Sequence, residues 1–426
     1  MINFSTVHTR SDKFIVMRSP LTNPFQAGSD VVPDVWAGRT EQLSDWHQVL
    51  RPRRRAGLYE TGRTILGEPG TGKSSLVRRI ARDAAEAGDW VTPQLRMPTG
   101  ADPLKIIASA VLRLADRAGL RTSTRRGVLD LLARVEQVAV TGFSVTTRGA
   151  DGPEPFTALF ELLVELGQAA IEQDAVVMIH VDEVQNIGDE AALSQLLIAL
   201  GDALSHEVEV SVPGGGTVSR YLPVAVYLTG LPDFEDKAGA RKGATFARRF
   251  RTITLGPLDE GDILEALQPF VIAGWETAGD HGAVETVRMD PAAARTIAAL
   301  SCGEPFLFQL AGQRAWNVAT APVISEEDVV AGWRGAESEA SAHVERILNR
   351  LPPREHEFLR AMASLPTAER TLNAIAEAMG LASGAQLGPT SQRLDTVRGV
   401  VSRGKPYAFR NRAVEAYLTT DWPRTA

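Results

Sequence analysis

Eight consecutive residues, Gly67 to Ser74 (GEPGTGKS), fill the pattern G-x-x-x-x-G-K-S without a mismatch. That pattern suits one chemistry, the cradling of a polyphosphate. Gly67, Gly70 and Gly72 allow left-handed turns that bring backbone N–H groups against phosphate oxygens. A helix starting at the loop adds the partial positive charge of its N-terminus. Lys73 is placed to neutralise β- and γ-phosphate oxygens, and the Ser74 hydroxyl to ligate Mg²⁺. The whole cradle covers Gly67, Glu68, Pro69, Gly70, Thr71, Gly72, Lys73, Ser74 and Ser75. The bland alternative is a chance glycine-rich turn. Against it stand the β-like run RTIL (63–66) before the loop and a helical pattern after it, the context the motif requires.

ATP hydrolysis also needs a carboxylate at the end of a neighbouring strand. The run MIHVDE supplies Asp182 and Glu183 directly after an apolar stretch. Asp182 is placed to hold the water shell of Mg²⁺ and Glu183 to orient and activate the attacking water, a role worth roughly 10²–10⁴ in rate. Two acids marking a solvated strand end are the alternative. Thr229, in YLTG on a further strand, is placed to couple to the γ-phosphate, although threonines are common at strand ends. His180 lies inside its strand and reads as a core residue.

The elements around these residues alternate in type. The segment DVWAGRTEQL (34–43) opens a helical pattern that ends near RPRRR (51–55). After the loop, Leu76, Ile80 and Ala84 recur at four-residue spacing, with Gly88 as the stop. WVTPQLRM (90–97) reads as the next strand, followed by helices over 103–118 and 123–138 and an alternating stretch at 137–148. A helix over 155–172 carries Phe156, Leu159, Leu163 and Leu166. AVVMIHVDE (175–183) and LPVAVYLTG (222–230) are unbroken apolar runs of the kind buried on both faces of a sheet. Between them lie a Leu-rich helix (Leu193 to Leu204) and a hairpin turning at Gly214–Gly216. Strands alternating with helices imply a parallel α/β sheet. From about 257 onward the pattern is helical, with Asp290–Pro291 as a cap and Ser325/Asp328 as a capping box.

Composition narrows the setting. The 426 residues suffice for two or three domains, and 44% hydrophobic with 23% charged is ordinary for a globular chain. No apolar run has the length of a membrane span, and the N-terminus lacks a secretory layout. The single cysteine, Cys302, excludes an internal disulfide and a cysteine-cluster metal site. These features imply a cytoplasmic protein without a membrane partner. The net charge of −7 argues against a globally basic nucleic-acid binder. Arginines outnumber lysines 39 to 6, so an isolated arginine carries little weight.

Taken together, VWAGR before the loop, GEPGTGKS, VDEVQNI and ARRFRTITLGPLD resemble the AAA+ superfamily. The similarity is closest to the branch that holds origin-recognition type, signal-transducing STAND and transposition-associated ATPases. It spans roughly residues 33–320, and more weakly the C-terminal region. The resemblance implies that Val35 and Trp36 lie near the adenine, although Trp36 would serve equally as plain core. It implies that Arg248 or Arg249 is an arginine finger completing a neighbouring subunit's site, the alternative being a solvated pair before a buried Phe250. Many AAA+ chains carry a sensing arginine early in a lid helix. Here the matching segment is SCGEPFLFQL (301–310), whose Gly-x-Pro is similar to the STAND pattern. Gly303 and Pro305 are the implied lid contacts, and the absent arginine implies slow turnover.

Residues 345–420 suit a winged helix-turn-helix: HEFLRAMASL, TLNAIAEAMG and PTSQRLDTVRG as helices, then VVSRGKPYAF as two strands around a turn. Within 393–412, Arg393, Arg398, Arg403, Lys405, Arg410 and Arg412 stand against Asp395 alone, six positive charges against one negative. The expected organisation is an extended arm (1–33), a P-loop core (34–256), a helical lid (257–336) and a winged-helix domain (337–426). Two functions follow. One is an ATP- and Mg²⁺-dependent switch that grips double-stranded DNA through 393–412. The other is a nucleotide-gated signalling ATPase whose winged helix contacts protein, by self-assembly or with a partner.

Overall fold

The computed structural model describes residues 20–28, 31–117, 155–238, 248–278 and 284–425. The expectations for 123–138 and 137–148 lie outside the described residues, as does most of the 1–33 arm.

A parallel sheet carries the site. Its strands are β1 (Gly62–Leu66), β2 (Trp90–Val91), β3 (Leu95–Arg96), β4 (Val177–Asp182), β7 (Val224–Gly230) and β8 (Phe250–Thr254), in the order β2-β4-β7-β1-β8 with β3 also on β4. The strand β7 thus separates β1, which feeds the phosphate loop, from β4, which ends in Asp182. WVTPQLRM forms two short strands rather than one, because Pro93 has no N–H for the ladder.

Side-chain alternation distributes β4 and β7 between two cores. Val176, Met178, Ala225 and Tyr227 pack with Trp46, Leu50 and the helix α1 (Lys73–Glu86) on one face. Val177, Ile179, Val181, Val224, Val226 and Leu228 face α2 (Pro103–Arg117), α3 (Pro155–Glu172) and α4 (Glu190–Ser205). Both faces are covered, so the strands read as continuous apolar runs instead of alternating ones. The expected hairpin is β5 (Glu207–Val212) with β6 (Gly216–Tyr221).

After β8 the chain is not purely helical. Alongside α5 (Glu260–Ile272), α6 (Pro291–Ser301), α7 (Pro305–Val318) and α8 (Glu326–Arg334) runs a small sheet of β9 (Trp275–Ala278), β10 (Val284–Met289) and β11 (Val323–Ile324). Half of the β9–β10 positions are polar and only Val287 and Met289 of β10 are buried, so hydrophobic alternation is confined to the end of β10 and marks the pair too briefly to be read. The capping box at Ser325 and Asp328 forms in both directions, whereas Asp290 makes no side-chain cap.

The C-terminal elements are α9 (Glu337–Leu348), α10 (Pro353–Ala363), α11 (Leu372–Ala378), α12 (Gly388–Thr396), the antiparallel pair β12 (Val401–Ser402) and β13 (Ala408–Phe409), and α13 (Arg412–Thr419). One hydrophobic core runs from Phe25 through the α5–α8 helices into α9–α13. Phe25 is wholly buried and stacks on Phe270 at 5.5 Å, and Gln309 ties the same stretch down by bonds to Gln26 N and Val35 O. Among the described residues no helix is long and apolar enough to cross a membrane.

Candidate functional site

The turn from β1 into α1 places Gly70 and Gly72 at φ +85° and +83°, where an L side chain is strained. Lys73 begins α1, and its Nζ folds back to donate to Gly67 O and Glu68 O, each at 2.9 Å. Burial lowers its pKa from 10.5 to about 8, although Glu183, Asp182 and Glu304 oppose the shift. Ser74 Oγ donates to Asp182 Oδ2 at 3.2 Å, so the two expected metal ligands lie side by side. Burial disfavours an ionised Asp182, but hydrogen bonds from Thr229 and Gln94 and the charge of His180 outweigh it and hold the carboxyl below its ordinary value.

Thr229 lies beneath the cavity lining and engages Asp182. It is wholly buried, donates to Asp182 Oδ1 and lies 3.0 Å from His180 Nε2. His180 and Thr229 meet because both project from their strands on the α1 side of the sheet. His180, 1% exposed, belongs to this buried network. Glu183 adopts the left-handed region (φ 58°), uncommon for a non-glycine, and its carboxylate accepts from Gln185 Nε2.

A cavity of about 560 Å³ opens above the loop. Pro69 to Ser75, Val35, Trp36, Glu183 and Pro305 line it, together with Gln26, Arg39, Arg96, Asn186, Phe306, Gln309, His343 and Arg346. Trp36 is held by a bond from Nε1 to Gly38 O and by Arg79 over its ring at 4.6 Å. Gly303 stands behind the wall rather than in it: at φ +78°, a Cβ there would overlap the Arg412 guanidinium. Gly67, Glu68 and Asp182 also lie beneath the lining, Glu68 in an ion pair with Arg350.

Sequence reasoning missed several of these groups. Arg39, inside VWAGR, bonds Thr71 O at 3.1 Å and Gly256 O at 2.8 Å and so braces the loop. Glu304 occupies the N-cap position of α7 without a side-chain cap bond, and its complete burial raises its pKa to about 7 despite nearby Arg39, Arg412 and Lys73. Its Oε1 accepts from Asn411 Nδ2 at 2.9 Å. His343, whose pKa burial lowers to about 4, stacks on Phe306 at 4.9 Å. No local motif marks His343, Arg346 or Arg350; they reach the site because α9 folds back over the loop.

The expected arginine finger and basic face are differently disposed. Arg248 is exposed, whereas Arg249 pairs with Asp202 of its own chain. Of the six basic residues in 393–412, Arg393 and Arg398 each hold the buried Glu355 at 3.0 Å, Arg410 pairs with Asp395, and Arg412 donates to Leu258 O. Arg403 and Lys405, in the β12–β13 turn, are exposed and make no ion pair among the described residues. Four of the six basic side chains are therefore engaged internally, although only two carboxylates, Glu355 and Asp395, oppose them in charge.

Among the described residues no cluster of three His, Cys, Asp or Glu side chains could hold a metal alone. Ser74 and Asp182 nevertheless offer adjacent oxygens, and Mg²⁺ is usually bound by one or two carboxylates together with substrate phosphates. The donor set fits that mode.

Comparison with known proteins agrees with this fold. The AAA ATPase domain family matches residues 35–212. The fold is similar to the Aeropyrum pernix ORC2 protein, solved as ADPNP–ADP complexes, at a TM-score of 0.51 and 15% identity over 92% of this chain and 95% of that one. It is also similar to a Walker-type ATPase of Pyrococcus abyssi, at a TM-score of 0.51 and 14% identity over 90% and 96%. No curated protein matches the sequence.

Proposed function

We propose that this chain, which carries an AAA ATPase domain over residues 35–212, binds ATP with Mg²⁺ and hydrolyses it slowly as a nucleotide-gated switch. One observation carries the reading: Lys73, Ser74, Asp182 and Glu183 converge beside a cavity roofed by helices from the C-terminal third of the chain. In this reading Val35, Trp36 and Pro305 enclose the base and Pro69 to Ser75 enclose the phosphates. Lys73 leaves the loop carbonyls for the β- and γ-phosphate oxygens, and Ser74 with Asp182 holds Mg²⁺, which neutralises phosphate charge when bound. Glu183 takes a proton from water as the water oxygen bonds to the γ-phosphorus and the bond to the β-phosphate bridge breaks. Thr229 and Gln94 position Asp182. Arg248 remains the candidate finger toward a neighbouring copy. The ADPNP–ADP complexes of the Aeropyrum pernix protein support this choice of nucleotide. A cytoplasmic location fits the single cysteine.

A second reading adds duplex DNA as a partner. Exposed Arg403 and Lys405 at the tip of the β12–β13 hairpin, the wing of a winged helix, favour it. ATP turnover with and without duplex DNA, at low and moderate salt and with Glu183→Gln as the blank, tests both readings. Stimulation that fades with salt supports the DNA-coupled form. Slow turnover indifferent to DNA supports the switch alone. Absence of turnover above the blank refutes the ATPase.

A further inference from the structure

The helix α7 opens into the cavity with Pro305 and Phe306, and its first turn, PFLF, carries no cation. Phe306 is covered instead by His343 of α9, at a ring separation of 4.9 Å and 28° between planes. The His343 ring also sits on the phosphate loop, since a Cβ on Gly70 would overlap it. Just past the end of α9, Arg350 pairs with Glu68 of the same loop. Two contacts therefore lay α9 along the phosphate loop, and Arg346 lies between them. Three residues from His343, it shares that residue's face of the helix and lines the cavity.

The cations around the cavity have different commitments. Arg39 is bonded to Thr71 O and Gly256 O and holds the shape of the loop. Lys73 belongs to the loop itself. His343 is kept neutral by its burial and supplies no charge. The bond that Arg346 makes uses Nε, to Ala342 O one turn back on its own helix, which leaves its terminal nitrogens available on the cavity side. A guanidinium there can grip a phosphate through two parallel N–H bonds.

We propose that Arg346 binds the terminal phosphate of the nucleotide, so that α9 supplies the cation missing from the first turn of α7. The difference between triphosphate and diphosphate is then read by the helix that leads directly into α10–α13. This assignment rests on the nucleotide-binding reading given above.

Isothermal titration of the full chain with Mg²⁺ and either ADPNP or ADP tests it, using wild type, Arg346→Ala, Arg346→Lys and Lys73→Ala. Loss of a charge-assisted phosphate contact is expected to weaken ADPNP binding roughly tenfold or more in Arg346→Ala. ADP affinity is expected to stay near the wild-type value, and Arg346→Lys to recover part of the ADPNP affinity. A merely structural role for Arg346 would weaken both ligands alike. Equal loss for the two nucleotides, or no loss for either, overturns the assignment and leaves the nucleotide site standing. If wild type binds neither nucleotide, or Lys73→Ala binds as wild type does, the underlying reading falls and takes the assignment with it.

Discussion

Lys73 is the group whose environment has the most direct consequence for binding. Burial holds its pKa near 8, and a bound phosphate favours the charged ammonium and raises that value again. Nucleotide binding thus takes up a proton once the pH exceeds about 8. Affinity is expected to be level below that pH and to fall as pH rises above it, a trend that titrations between about pH 7 and 9 would register. Lys73→Ala removes the charge altogether and is expected to abolish nucleotide binding, readable by the same titration. Glu183 is a different case, because the role proposed for its carboxylate is on water and not on the bound phosphates. Glu183→Gln should retain nucleotide and hydrolyse it at least about a hundredfold more slowly in single-turnover assays. Wild-type turnover in that variant would remove Glu183 as the base.

The segments that close the site are held by specific residues. Phe25 anchors the stretch leading to Val35 and Trp36 by inserting between Phe270 and Phe308, where a side chain on Gly312 would overlap it. Phe25→Ala is expected to cost about 3–5 kcal/mol, seen as a lower Tm, and to weaken nucleotide binding because the same stretch walls the cavity. Glu304 joins α7 to the cap of α13 through Asn411. Its folded pKa of about 7 exceeds the ordinary 4.5, so its contribution to stability is fully present below 4.5 and is lost as pH rises to about 7. Glu304→Gln keeps an acceptor for Asn411 and removes that dependence. The Tm of the variant should therefore rise relative to wild type between about pH 4.5 and 7, and the difference should level off above 7. A difference independent of pH would show that Glu304 does not titrate in that range.

At the scale of the whole molecule, charge has to be counted after folding. The excess in 393–412 reads as a phosphate-binding face until Glu355, Asp395 and Leu258 O are seen to occupy four of its six basic side chains. With two cations left, DNA binding through this face is expected to give a log–log salt slope near −2, compared with about −5 if all six engaged phosphate. Binding measured across a salt series distinguishes the two, and Arg403→Ala with Lys405→Ala should flatten the smaller slope. The same folding joins α5–α8 and α9–α13 through one core, so nucleotide-dependent movement of α9 would be felt by the C-terminal helices.

Although α9 and α13 were not legible from residue order alone, the phosphate loop, the acid pair, the buried strands and the order of α10–α12 with the β12–β13 pair were. Each depends on neighbours in the chain: a glycine pattern within eight residues, an apolar run ending in two acids, helix periodicity and caps. The partners of these residues were not legible. Thr229 turns to Asp182 because parity on adjacent strands places both it and His180 on the α1 side. Arg39, Glu304, His343 and Arg350 reach the loop from distant positions, and no local pattern encodes which helix will fold across it. The β9–β10 strands were missed for the related reason that strands with so few buried positions carry too short a hydrophobic alternation to read. Local chemistry is written in spacing, whereas the fate of a charge depends on long-range packing, which decides whether it meets water, a phosphate or a buried carboxylate.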